Sequence, residues 1–140
     1  MSNIKVIEKL KSFFETRSNI AAAYLYGSYA TEKNTHKSDV DIAILMELEK
    51  TSTERFSVRN QIRSDLSRLL RKDVDLVIMN EAGEALLLEI LTRGKLIFEK
   101  SRDIHRRFRA IRLTDCIDFG FYMKRMQNGM TRAMRSAKVG

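Results

Sequence analysis

At 140 residues the chain is long enough for one domain with a substantial core, and a hydrophobic content of 44% is ordinary for a soluble protein. Its single cysteine, Cys116, excludes an intramolecular disulfide and suits a reducing cytoplasm, and no apolar run is long enough to span a bilayer. The net charge of +8 makes nucleic acid possible but not favoured: basicity alone gives only salt-sensitive, nonspecific affinity, and the aromatic–basic interleaving of single-strand-binding platforms is missing.

The N-terminus moves straight into charged, helix-periodic sequence, so no signal peptide is expected. Residues 3–17 read as an amphipathic helix with Val6, Ile7, Leu10, Phe13 and Phe14 on its apolar stripe. Ile20 to Tyr26 is short and apolar between polar flanks, the pattern of a buried strand. Gly27 then permits a sharp turn, and Ser28 is the N-cap candidate of a helix beginning near Tyr29. After a polar loop, a second strand runs over 39–46. A helix over 53–71 turns Phe56, Ile62, Leu66, Leu69 and Leu70 inward, and a third strand follows at 74–79. The next helix, 81–93, ends at Gly94 as a C-cap, and 95–100 reads as a short edge strand. Alternating strands and helices with a mixed sheet give an α/β or α+β domain, a small mixed sheet flanked by helices.

The chemistry is concentrated in two places along this order. Side chains alternate along a strand, so Asp39 and Asp41 point one way while Val40, Ile42 and Ile44 point the other. Two carboxylates side by side repel, and a divalent cation relieves that repulsion. Ahead of them, Gly27 and Ser28 form a small turn whose backbone N–H groups can approach phosphate, with no Cβ in the way. A phosphate-holding turn followed at fixed distance by paired carboxylates is what a magnesium–nucleotide site requires. Asp-x-Asp alone is a weak signal, since the chain has it twice, at 39/41 and 73/75; the added Gly-Ser makes it specific.

Gly27-Ser28, ten residues, then Asp39-x-Asp41 resembles the polymerase β-type nucleotidyltransferase superfamily. The wording Leu25-Tyr-Gly-Ser-Tyr-Ala30 with Ser38-Asp-Val-Asp41 is similar to its minimal nucleotidyltransferase branch, which includes antitoxins paired with HEPN-domain RNase toxins. The resemblance covers about residues 20–100. It implies a polymerase β-like core over 1–100 and a third carboxylate on a later strand, which Val74-Asp75-Leu76-Val77 matches through Asp75. Asp73 has the same parity and is the runner-up. Many relatives carry an arginine where this chain has Thr31, so a triphosphate contact is either missing or supplied by Lys33, Lys37 or another basic side chain.

By this resemblance the chain moves AMP from ATP to a tyrosine hydroxyl of a cognate HEPN toxin, silencing its RNase site within a hetero-oligomer. Asp39, Asp41 and Asp75 are then the catalytic residues and the ligands of two magnesium ions, while Gly27 and Ser28 bind the nucleotide. About 100 residues go to the core and only a basic helix remains, which fits an acceptor held by an external partner. A non-catalytic binding antitoxin and an adenylyltransferase acting on a small molecule stand as alternatives. Neither His36 nor His105 follows an arginine in the spacing of the HEPN RNase motif, so this is not the toxin half.

From about Arg102 the sequence is helix-compatible and strongly basic, with no acidic residue after Asp118. Gly120 and Gly129 weaken any single continuous helix. Residues 101–140 are therefore read as a helical basic segment. It either belongs to the same domain or is a partner-docking arm for an acidic surface, with Met123, Met126, Met130 and Met134 as an adaptable apolar stripe. The two histidines are isolated and no Cys/His cluster has zinc spacing. Cys116 reads as a small core residue and His36 as an exposed loop residue near any bound nucleotide. Strand packing accounts for Tyr24 and Tyr26, and Tyr29 is a candidate to stack on the nucleotide.

Overall fold

The computed structural model describes residues 2–48 and 50–139, with the side chains of 121 and 131–139 excepted. Helix α1 spans Asn3–Glu15 and starts at Ser2, whose hydroxyl accepts from the Lys5 N–H at 3.3 Å. Strand β1 follows at Ile20–Tyr26, β2 at Val40–Met46, α2 at Ser52–Leu70 and β3 at Val74–Ile78. Helix α3 spans Glu84–Arg93, β4 Lys95–Glu99, and α4 Arg102–Val139. The sheet order is β3-β2-β1-β4; β2 and β3 run parallel across the α2 crossover, and the other pairs are antiparallel.

Strand alternation divides the core into two layers. Ile42, Ile44, Leu76 and Ile78 face α1 and α2, meeting Val6, Leu10, Phe14, Ile62, Leu66 and Leu70. Ala22, Tyr24, Ala43 and Leu45 face the other way, against Leu87, Ile90 and Leu91 of α3 and Cys116 of α4. The small alanines of β1 and β2 let α3 and α4 come close to the sheet. Among the described residues, no helix is long and apolar enough to cross a membrane.

Four details depart from the sequence reading. No helix follows Ser28: the chain makes a three-residue 3-10 turn, Gly27–Tyr29, and Ser28 caps nothing. The Lys33 N–H returns to the Ser28 carbonyl at 3.0 Å, so the segment closes into turns before a helix can propagate. Phe56 is exposed, because the inward stripe of α2 recurs every four residues at Val58, Ile62, Leu66 and Leu70, and Phe56 lies about 200° round the helix from Val58, its nearest member, beneath the Arg59 guanidinium; Leu69, one position off that stripe, is at the edge of exposure. Gly94 does close α3, but at φ −72°, outside the left-handed region; a Cβ there would collide with the Ile90 carbonyl and crowd Tyr24.

The fourth is α4, which runs unbroken through Gly120 and Gly129. Each glycine costs about 1 kcal/mol relative to alanine, too little to break a helix this long. His105, Phe108, Leu113 and Cys116 root it against α3 and the sheet. Beyond Cys116 every described side chain is exposed, including Phe119, Tyr122, Met123, Met126 and Met130. Arg132, Met134, Arg135 and Lys138 lie outside the described side chains.

Candidate active site

The site forms where β1 ends beside β2. Tyr26 pairs with Asp41 across the antiparallel ladder, so Gly27, the next residue, meets the Asp41 carboxylate. Gly27 adopts φ +67°, and a Cβ at this position would overlap Asp41 Oδ2. Backbone conformation and close approach therefore both demand glycine here. The turn is held by the Ala30 and Thr31 N–H groups, which donate to the Gly27 carbonyl at 3.1 and 3.3 Å. Thr31 also directs its hydroxyl back to the Gly27 and Ser28 carbonyls at 3.4 and 3.3 Å, so it braces the turn.

The carboxylates come together from two parallel strands. Asp41 and Asp75 are register partners, about 4.8 Å apart along the ladder and on the same face. Val74, Leu76 and Ile78 are buried on the opposite face, which leaves Asp75 exposed. The Val40 N–H donates to the Asp73 carbonyl at 3.0 Å, extending the ladder so that Asp39 and Asp73 sit at its entrance. It is thus Asp75, not Asp73, that stands opposite Asp41. Asp39, Asp41 and Asp75 make no side-chain hydrogen bond or ion pair with the described residues.

Their field is felt nearby. Burial raises the Asp41 pKa, and the charges of Asp75, Asp39 and Glu89 raise it further. The Tyr26 phenol is pushed up too, by burial first and then by Asp75 and Asp41. Among the described residues no three acidic, histidine or cysteine side chains converge as a metal-holding group. The donor chemistry nonetheless fits magnesium: an adjacent carboxylate pair with no partner among the described residues, and the exposed Asp39 at the entrance of the same ladder. Magnesium accepts one or two carboxylates and fills its shell with water and phosphate oxygens.

Several residues fall elsewhere than the sequence suggested. Tyr29 is buried in the layer beneath α1 and cannot stack on a nucleotide. His36 is exposed and lines an open cavity of about 450 Å3 at the β2–β3 entrance, with Lys37, Asp39, Arg71, Lys72 and Asp73. Sequence reading missed this cavity; its one signal was the Arg71-Lys72 pair between α2 and β3. It also missed the partners of His105, which is buried between the Tyr24 hydroxyl, at 2.5 Å, and the Glu99 carboxylate. Arg109 completes that network on the Tyr24 hydroxyl at 3.3 Å and the Leu91 carbonyl at 3.1 Å. The network ties β1, β4 and α4 together, and its residues are too far apart in sequence to announce it.

Cys116 is fully buried, and burial together with the Glu84 carboxylate pushes its thiol up to about 11. The thiolate is the reactive form, so native protein at pH 7.5 should resist iodoacetamide and react at once in 6 M guanidinium. Rapid alkylation of the native protein, followed by mass spectrometry, would show the thiol to be open.

Fold and site together set a glycine turn against a carboxylate pair at the end of a mixed sheet. The chain belongs to the polymerase beta nucleotidyltransferase family, whose model matches residues 8–103. A curated relative, the protein adenylyltransferase MntA of Shewanella oneidensis, is 32% identical over 80 residues, 57% of this chain and 55% of that protein. The match thus spans about half of the relative's length. A solved toxin–antitoxin structure with AMP-PNP shares the fold at TM-score 0.65 and 22% identity, covering 96% of this chain and 98% of that one. A second, a tri-AMPylated Shewanella oneidensis HEPN toxin in complex with MNT antitoxin, aligns at TM-score 0.64 and 19% identity, covering 95% and 98%.

Proposed function

We propose that this chain is a nucleotidyltransferase antitoxin that transfers AMP from ATP to a tyrosine hydroxyl of a cognate HEPN-type RNase toxin, adding one or more units. One observation carries the reading: the Gly27 turn is packed directly on Asp41, with Asp75 opposite and no cation paired to either among the described residues. The similarity to MntA and to the fold of toxin-bound antitoxins supplies the acceptor class.

In this reading the backbone N–H groups of the Gly27–Ser28 turn hold the outer phosphates, and Ser28 adds a hydroxyl donor. Asp39, Asp41 and Asp75 would hold two magnesium ions, whose charge would neutralise the triphosphate and lower the pKa of the acceptor hydroxyl. Asp75, the most exposed side of the pair, receives the acceptor proton on its carboxylate. Positioning and charge neutralisation supply most of the acceleration, as in other phosphoryl transfers. Catalysis means turnover: one equivalent of this chain should release pyrophosphate from many equivalents of toxin. Release that stops at one equivalent, or does not depend on toxin, overturns the assignment.

A binding antitoxin is the second reading, favoured by the exposed apolar and basic side chains of α4 beyond Cys116. In both readings that stretch is the docking arm. Deleting the residues after Tyr122 should therefore weaken toxin binding at least tenfold while leaving ATP affinity within about twofold, because the nucleotide residues lie upstream. Neutralising Arg125, Arg132 and Arg135 should flatten the salt dependence of binding. Calorimetry with each ligand in turn checks both, and unchanged toxin affinity removes the arm from the interface.

A further inference from the structure

Tyr26, Asp41 and Asp75 stand in one row across three neighbouring strands. Tyr26 is the ladder partner of Asp41, and Asp41 is the ladder partner of Asp75. Ladder partners share a face, so all three side chains leave the sheet on the side covered by α3 and the root of α4. The Tyr26 ring is buried in that layer with Ala43, Leu87 and Ile90, and only 6% of the residue is exposed. Its hydroxyl nevertheless makes no hydrogen bond with the described residues. Two positions earlier, Tyr24 shows what a buried phenol on this face ordinarily finds: its hydroxyl meets both His105 and Arg109.

The carboxylates show the complementary gap. Asp41 and Asp75 accept from no side chain among the described residues. Carboxylates that hold a metal are as a rule themselves hydrogen-bonded, by an outer group that fixes their orientation. The row supplies one such donor, the Tyr26 hydroxyl. Direction separates Asp75 from Asp41 as its partner. After burial, the Asp75 charge acts on the phenol more than the Asp41 charge does, and Glu89 of α3 acts less than either. Asp75 is exposed and better screened by water than half-buried Asp41, so its larger effect reflects a shorter distance. The phenol thus reaches across Asp41 towards β3.

We propose that the Tyr26 hydroxyl is the positioning donor of Asp75: with a divalent cation in the site, it donates to one oxygen of the Asp75 carboxylate and leaves the other for the metal. This rests on the adenylyltransferase reading above and deepens it. Repulsion from Asp41 accounts for an Asp75 that stands exposed rather than against the phenol, and neutralising that repulsion lets it accept. A phenol suits the task because it donates without bringing a positive charge that would compete with the cation.

The test is manganese binding to the full chain, with neither ATP nor toxin, read from the electron paramagnetic resonance of the free ion. Manganese stands in for magnesium on oxygen ligands. Tyr26→Phe keeps the buried ring and deletes the hydroxyl alone, and it should weaken manganese binding about tenfold. In an Asp75→Asn background the same substitution should cost less than about twofold, because the partner is already gone. In a Glu89→Gln background the full loss should persist. Without metal, Tyr26→Phe should melt no lower than wild type, since the hydroxyl has no partner to lose. At saturating magnesium it should lower kcat for toxin adenylylation about tenfold, with the KM for ATP within about twofold. Unchanged manganese affinity in Tyr26→Phe overturns the proposal. So does a loss that persists in Asp75→Asn, or one that disappears in Glu89→Gln and makes Glu89 the partner. A lower melting temperature without metal overturns it too, as the mark of a structural hydroxyl. A wild-type chain that binds no manganese overturns the metal site and the proposal with it. A chain that shows the whole manganese pattern yet adenylylates nothing overturns the parent reading and leaves the Tyr26–Asp75 pair standing.

Discussion

Asp41→Asn should abolish transfer, lowering the rate by on the order of 10³-fold or more, while the apo protein becomes more stable. The two effects have one origin. Asp41 sits half-buried against Asp75, with Asp39 near, and among the described residues no cation pairs with any of the three. Its pKa is raised, so the folded state binds the Asp41 proton more tightly than the unfolded chain does. That group therefore destabilises the fold at neutral pH, fully above its raised pKa and not at all well below the ordinary value near 3.8. The stability gained by Asp41→Asn should be present at pH 7 and vanish as the pH falls through that window. Thermal melts of both proteins from pH 3 to 7.5 check the sign. Adding magnesium should narrow the difference at neutral pH by stabilising wild type alone. A mutant less stable than wild type at pH 7, or one that retains transfer, contradicts the placement of Asp41.

Gly27→Ala should be the most damaging single substitution outside the carboxylates. At φ +67° an L side chain costs about 1–2 kcal/mol, and here the new Cβ also lands on the Asp41 carboxylate. Overpacking of that kind adds about 1–3 kcal/mol, so urea denaturation should show a loss of roughly 2–5 kcal/mol in total. Relief of the clash displaces Asp41 and the turn together, and a shift of about 1 Å at the reacting groups costs on the order of 10²-fold in rate. The Asp41→Ala background separates the two terms: there the clash is gone, and only the cost of the left-handed backbone remains. Strict additivity of the two substitutions would show that Gly27 and Asp41 do not touch.

The elements legible in the sequence are those whose burial is settled locally. Strand β1 lies where seven consecutive apolar residues placed it, because every one of them is buried. The pairing of Asp41 with Asp75 was legible only in part: alternation fixes the face of each strand, but the register between two strands joined by a helix is a tertiary fact. Phe56 misled because α2 buries a narrow stripe, and an isolated phenylalanine looks inward in any window that contains it. Gly120 and Gly129 misled because propensity is a weak prior against the cooperativity of a long helix. The helix expected after Ser28 failed for a different reason. The chain there is spent on returning to Asp39 through turns, with Thr31 rather than a longer side chain bracing the first of them. His105, with partners at positions 24 and 99, and the Arg71 cavity, with partners at 36–39, depend on contacts that no local pattern encodes.

Intact-mass analysis of the toxin after incubation with this chain, ATP and magnesium, followed by separation of the two proteins under denaturing conditions, tests the central claim most directly. The separated and refolded toxin should carry at least one AMP on a tyrosine and remain unable to cleave RNA, because the added phosphodiester occupies charge and space that RNA phosphates need. With Asp41→Asn in place of the wild-type chain, the toxin should emerge unmodified. An unmodified toxin that regains RNase activity once the wild-type chain is removed would contradict adenylyl transfer and leave stoichiometric binding as the function.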